Sequence, residues 1–271
     1  MDAMELIRHR KSIRTYNGEG FPLKEQERIM SYAAEIENPY GIPVEYRILN
    51  ADKHGLSSPV IVGADTYIAG KIKRLPHAEE AFGYSFEKLV LYADSLGIGT
   101  VWIGGTMNRD AFERAMDLKD DEVLPCVSPL GYKAEKQSLR ETMMRKGTGG
   151  DSRLPSEKLF FEHNFDTPLA MDKASDLSEA FEMVRWAPSA VNKQPWRIVV
   201  DGKDVHFYEK KSKGYVNASG WDMQKIDMGI AMCHFSIGLE QKNIKADFVL
   251  KEPDIEHSAN TEYIATYSIA L

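Results

Sequence analysis

A chain of 271 residues, 43% hydrophobic and 28% charged, has room for one large domain or two ordinary ones, and this composition excludes a disordered protein. The formal net charge of −7 argues against a nucleic-acid or anionic-lipid surface, although a local basic cluster could still hold one phosphate. Cys126 and Cys233 belong to no CxxC or metal-ligand spacing, the acidic start Met1–Glu5 has no apolar signal core, and no apolar run reaches membrane length, so the chain reads as soluble and cytoplasmic.

Residues 5–14 place Arg8, Arg10, Lys11 and Arg14 beside Ser12. A solvated basic helix face is the plainer reading of such a run. The functional one is a phosphate clamp, since arginine offers a fork of donors and serine a hydroxyl. A helix is expected over 23–36 with Ile29, Met30 and Ala33 facing in, then a strand through Tyr46–Leu49 and a buried strand at Pro59–Gly63. Phe86, Leu89, Val90, Ala93 and Leu96 form a helical stripe that stops at Gly97, a natural residue to follow a helix end. Gly97–Gly105 then reads as a short apolar strand between glycine pairs. Trp102 would be either an ordinary core residue or part of a site where Gly104 and Gly105 let backbone approach a ligand. A helix over 109–116 leads to a last strand of this half within 124–132.

The composition then turns polar, and Gly147–Gly150 is the best linker candidate, with Arg145, Lys146 and Arg153 around it. The pattern restarts with a helix over 175–186, begun by Ser175, Asp176 and Glu179. Pro188 ends it, because proline lacks an N–H and disfavours the helical region for the residue before it. Ser189, Asn192 and Gln194 crowd the loop that follows, either binding a ligand or satisfying their own backbone. A strand at 196–200 can pair with Val205–Tyr208 across Asp201-Gly202. A helix over 228–241 follows, with Met228, Ala231, Met232 and Phe235 inward, and strands near 246–250 and 263–271 close the chain. The two halves share this order. Tyr46-Arg47-Ile48 and Trp196-Arg197-Ile198 stand 150 residues apart, each an aromatic-Arg-Ile entering a strand, which suggests an internal duplication mimicking a two-fold dimer. No HxxxH pair or GxSxG supports a metalloenzyme or serine hydrolase, and no GxGxxG after a strand marks a dinucleotide fold.

Together these motifs resemble the flavin-dependent nitroreductase family. Arg10–Arg14 is similar to its phosphate-binding run, Pro188–Trp196 to its flavin-edge loop, Gly97–Gly105 to its glycine-rich strand and Leu130–Glu135 to its closing segment. The order departs from the family's. The loop comes last, Asn38–Pro43 lacks its Ser and Asn in the first half, and Leu159–His163 and Lys245–Val249 lack the basic run and glycines in the second. The resemblance implies an α+β fold of two pseudo-symmetric halves, each a mixed or antiparallel sheet packed by helices and together mimicking the family homodimer. The halves would be 1–146 and 156–271, joined by a linker at 147–155, and would form a monomer with one complete site. It implies FMN held by Arg10, Lys11, Ser12 and Arg153 at the phosphate, and Arg14 near N1 and the C2 carbonyl as electrostatic support. Gly104 and Gly105 would lie near N5, and Pro188, Ser189, Ala190 and Asn192 along the ring and ribityl chain, the loop reaching over from the second half. The implied activity is ping-pong hydride transfer from NAD(P)H to a small conjugated acceptor such as a nitroaromatic or quinone, the cofactor carrying the chemistry. The alternatives are a flavin-binding sensor without turnover, an oxygen-dependent flavin-modifying member of the superfamily, or a remnant that has lost its cofactor.

Overall fold

Two sheets divide the chain. The structure, a computed structural model, describes residues 2–150, 152–172, 174–216 and 220–270, with only the backbone described for Leu139, Arg140, Arg145, Lys146, Thr148 and Ser175. The side chains of Arg145, Lys146 and Ser175, singled out above, and the last residue of the expected final strand thus lie outside the described residues. Arg8–Gly150 form one compact unit, and Asp2–Ile7 with the residues from 152 onward form the other, so α1 (Ala3–His9) contributes to both.

In the first unit α2 (Leu23–Ala34) buries Ile29 and Ala33, as their spacing predicts, while Met30 is half-buried. β1 (Glu45–Asn50) runs into α3 (Ala51–His54), whose N-terminus is capped by the Asn50 side chain accepting from the Lys53 N–H. The centre of the sheet is β2 (Thr66–Lys73), whose residues 66–71 pair antiparallel with the whole of β1. This corrects the expectation of a buried strand at Pro59–Gly63. Pro59 and Val60 lie in a turn, and Val62 makes a single bridge to Thr15 and is 46% exposed. β2 escapes a reading by hydropathy because it carries Gly70 and Lys71. Gly70 is required by packing, since a Cβ there would stand 2.9 Å from Phe82 and 3.2 Å from Tyr46. Buried Lys71 is held by Glu122 at 2.8 Å and Glu45 at 3.3 Å.

Helix α4 (Ala78–Ser95) starts earlier than its stripe suggests and ends at Gly97, whose φ of +75° is the left-handed conformation glycine adopts without strain. α5 (Arg109–Ala115), β3 (Glu122–Val123) and β4 (Val127–Leu130) follow. β3 and β4 both pair antiparallel with β2, on the side opposite β1. The 97–105 segment forms no continuous strand, contrary to expectation. It touches its neighbours through single bridges, Ser12↔Thr100, Gly99↔Gly131 and Ile103↔Val127, because flanking glycines and turns interrupt the ladder. α6 (Leu139–Thr148) then runs through Gly147 and Thr148, the start of the segment expected as a linker. The Ser138 hydroxyl accepts from the Glu141 N–H at its start.

The second unit holds a five-stranded mixed sheet. β5 (Phe160–Glu162) is not apparent from the sequence. It lies parallel to β6 (Trp196–Asp201), which pairs antiparallel with β7 (Asp204–Lys210) across the expected hairpin, where Gly202 takes φ +60°. α7 (Ser178–Trp186) precedes β6, and α8 (Met223–Gln241) joins β7 to β8 (Ala246–Val249) and β9 (Thr261–Ile269). The spatial order is β5-β6-β7-β9-β8. Phe160 and Phe207, pointing to one face, meet Phe181 of α7 and Phe235 of α8, so both helices cover that face. The inward residues expected of α8 are all fully buried, but so is most of its circumference, the pattern of a core helix rather than an amphipathic one. Among the described residues no helix is long and apolar enough to cross a membrane.

Candidate functional site

After α1 the chain straightens, and extended backbone places Arg10, Ser12 and Arg14 at alternating positions. The segment is pinned from both sides. The Ile13 N–H donates to the Thr100 carbonyl at 2.9 Å, the Val62 N–H to the Arg14 carbonyl at 2.9 Å, and the Tyr16 N–H to the Val62 carbonyl at 2.8 Å. Close packing of Ile13 fixes the glycine opposite it, since a Cβ on Gly99 would lie 3.1 Å from Ile13. Only Arg8, exposed on α1, sits on a solvated helix face; Arg10, Lys11 and Arg14 follow the helix. Arg10 is 8% exposed, and its Nε lies 3.9 Å from the carboxylate of Glu87, a fully buried residue of α4 that also accepts from the Trp102 indole at 2.9 Å. The Arg10 Nε and Nη1 have no hydrogen-bond partner among the described residues. Buried donors left unpaired cost about 1–3 kcal/mol each, which marks this guanidinium as built for an acceptor. Lys11 is exposed, while Ser12 and Arg14 are half-buried. Two residues on, Thr15 donates to Glu141 at 2.7 Å, and Tyr16 donates to the Ile13 carbonyl at 2.9 Å, its hydroxyl pushed to a higher pKa by burial. Gly104 accepts from Arg109 at 2.6 Å through its carbonyl, and a Cβ on Gly105 would meet nothing. No part of the described chain therefore packs closely against Gly105.

The loop 187–197 in the second unit is strained. Val191, Asn192 and Gln194 have φ of +51°, +55° and +50°. Left-handed backbone costs L-residues about 1–2 kcal/mol, and for a β-branched valine it is a true outlier. Ser189 satisfies the loop's own backbone, as one of the two sequence readings had it, but Asn192 and the Gln194 side chain bond the 152–154 segment instead. The Gln194 N–H donates to the Ser189 hydroxyl at 2.9 Å, the Gln194 side-chain oxygen accepts from the Leu154 N–H at 2.8 Å, and Asn192 donates to the Ser152 carbonyl at 3.0 Å. Asp227 of α8, 3% exposed, takes the Ala190 N–H at 3.0 and 3.1 Å. Burial raises the Asp227 carboxyl well above the ordinary range, and the Ala190 N–H pulls it part of the way back. Arg153 is fixed beside the same loop, donating to the Trp186 carbonyl at 3.2 Å with its guanidinium 4.9 Å over the Trp186 ring.

Of the residues expected from sequence, Arg10, Ser12 and Arg14 gather with the 99–103 segment in the first unit. Arg153, Pro188, Ser189, Ala190 and Asn192 gather in the second. Glu87 and Asp227 were missed, each an acid buried in the middle of a largely apolar helix. The only local signal was that such an acid on a core helix must have a partner.

The described fold is that of the nitroreductases. The whole chain matches a structure from Thermotoga maritima described as a "putative nitroreductase", at 18% identity with TM-score 0.63, covering 99% of this chain and 94% of that one. A nitroreductase family protein from Clostridium difficile matches at 18% identity and TM-score 0.45, covering 57% of this chain and 94% of its own. An FMN-dependent nitroreductase from the same organism matches at 15% identity and TM-score 0.42, covering 49% and 88%. A search of the curated proteins gives no match. Residues 2–239 fit the sequence model of the family described as "Putative TM nitroreductase". The chain belongs to this nitroreductase family, a family of oxidoreductases.

Proposed function

We propose that the protein is an FMN-dependent, NAD(P)H-linked reductase of small conjugated acceptors such as nitroaromatics or quinones. The observation that carries this reading is Arg10, a buried guanidinium with two unpaired donors at the head of the Arg10-Lys11-Ser12-x-Arg14 run. A phosphate supplies the acceptor oxygens those donors lack, and it pairs well with a planar fork. FMN, when bound, would supply a two-electron carrier able to take hydride from NAD(P)H and pass it on.

The chain's own groups have separable tasks. Arg10, Lys11, Ser12 and Arg153 hold the phosphate, and Glu87 keeps the Arg10 guanidinium in place. Arg14 supplies fixed positive charge to the ring, which favours its reduction. Gly104 and Gly105 admit the ring edge. Pro188, Ser189, Ala190 and Asn192 pack on the cofactor. Because the Ala190 N–H is engaged by Asp227, that residue can only pack, whereas the Ser189 hydroxyl keeps its proton to donate. The chain works as a monomer in the cytoplasm, a fused pair of family-like halves with one site. The matching strand order supports the fusion. β1-β2-β4 and then the 99–103 segment in the first unit correspond to β6-β7-β9-β8 in the second, with a long core helix after the second strand of each.

The test is reconstitution with FMN followed by anaerobic titration with NADH and NADPH. Wild type should take up FMN and lose its yellow absorbance with one of the two. Arg10→Gln should bind FMN at least about tenfold more weakly, as expected for a lost charge-assisted pair, and Arg14→Ala should slow the bleaching. A protein that binds FMN but is bleached by neither nicotinamide would end the reductase reading and leave a flavin sensor.

A further inference from the structure

A second feature of the second unit lies on the sheet that the 187–197 loop enters. Cross-strand register places Phe161 opposite Val199, Arg197 opposite Tyr208, Tyr208 opposite Tyr263 and Lys210 opposite Thr261. Side chains of directly opposed residues share a face of a sheet, so Phe161, Arg197, Tyr208 and Lys210 lie together, on the face away from α7 and α8. Loops 163–168 and 256–258 border a cleft of about 630 Å³ over this face, within the range of small-molecule sites.

Its lining combines flat apolar walls with two cations, Arg197 and Lys210. Phe161 and Phe165 are 5.6 Å apart, Phe165 stands edge-on to Tyr208 at 5.0 Å, and the Tyr208 ring lies 5.5 Å from His257. The Tyr208 hydroxyl behind this wall is fully buried and has no hydrogen-bond partner among the described residues. Arg197 is half-buried. Its Nη1 donates to the Trp196 carbonyl at 2.6 Å and the Gln194 carbonyl at 3.0 Å, which fixes the guanidinium. No described carboxylate comes within ion-pair distance of Arg197 or Lys210. Burial lowers the Arg197 pKa with no acid raising it, yet arginine stays charged. A desolvated cation without a counter-ion is costly unless an anion arrives. Asp166 and Glu256, both exposed, also border the cleft, and His257 is engaged with Glu252 at 3.0 Å.

We infer that this cleft is a binding site for a flat aromatic anion, its ring against Phe161, Phe165 and His257 and its carboxylate on Arg197 and Lys210. Arg197 holds the carbonyl of left-handed Gln194, so an occupied cleft bears directly on the 187–197 loop.

The probe is 2-naphthoate, titrated by calorimetry into the full-length protein with and without FMN, with uncharged 2-naphthamide and non-aromatic cyclohexanecarboxylate as controls. Saturable one-to-one binding of naphthoate is expected, weakened at least about tenfold for either control, as loss of a charge or of ring contacts implies. Lys210→Glu and Phe165→Ala should each reduce affinity by a similar factor while leaving the circular dichroism spectrum unchanged. Arg197→Lys, which keeps the charge but loses the fork, should weaken binding less than Lys210→Glu. The inference is overturned by no saturable binding, by affinity unchanged in both Lys210→Glu and Phe165→Ala, or by FMN displacing naphthoate one for one, which would make the cleft part of the flavin site.

Discussion

At the scale of single residues, the chain keeps several acids where they are expensive. Glu209 of β7 has no exposed surface, and neither carboxylate oxygen has a hydrogen-bond partner among the described residues. Burial, with Asp222 and Glu262 adding to it, raises its pKa from 4.5 to about 7. Between these values the folded protein holds a proton that the unfolded chain has released, so stability falls as pH rises through this window and levels off above 7. The loss is on the order of 3 kcal/mol. Denaturant midpoints at pH 5 and pH 8 would show it, and Glu209→Gln should flatten the curve and exceed the parent at pH 8. Parallel curves for the two proteins would remove the assignment. Val191 carries the opposite kind of cost. It is 60% exposed and left-handed, so Val191→Asn, a residue that tolerates this conformation, should stabilise by about 1 kcal/mol. An unchanged melting temperature would argue against strain at this position.

Among the elements, the contact of α7 with α8 depends on one glycine. A Cβ on Gly238 would stand 2.5 Å from the Ala180 Cα and 2.6 Å from its Cβ, backbone that cannot swing aside. In an exposed helix Gly→Ala gains up to ~1 kcal/mol. Here the helices must separate, and overpacking costs about 1–3 kcal/mol, so Gly238→Ala should lose about 2 kcal/mol in urea unfolding. An unshifted midpoint would disprove the close approach. His234 reinforces the same seam through the Met183 carbonyl at 2.9 Å. In the first unit the corresponding burden falls on β2, whose Lys71 is buried between Glu45 and Glu122. Removing one partner of such a group leaves a buried charge unpaired, which is costly.

For the molecule as a whole, the duplication reading makes the sharpest prediction. Two family-like halves with one complete set of motifs should bind one FMN per 30.6 kDa chain, and light scattering on the loaded protein should give the mass of a monomer. Two FMN per chain, or a stable dimer, would count against it. Much of this organisation is legible in the sequence. The helical stripe ending at Gly97, the Asp201-Gly202 hairpin and the four motifs are local patterns of spacing and turn chemistry, and local patterns survive folding. The missed features share a different cause. β2 looks polar until Glu45 and Glu122 are brought to Lys71 from elsewhere in the chain, and β5 is three residues long, below the reach of any periodicity. The 97–105 run has strand composition, yet a strand is defined by its partners, and these glycine-flanked residues find only single bridges. By itself the sequence determined most of the helices, the Asp201-Gly202 hairpin, the family and the basic run, because each is written in neighbouring residues. Only the tertiary structure decided that Arg10 is buried with donors to spare, that Asp227 ties down the loop, and that Arg197 faces a cleft without a counter-ion. Burial and charge pairing are set by residues distant along the chain, and no local spacing encodes them.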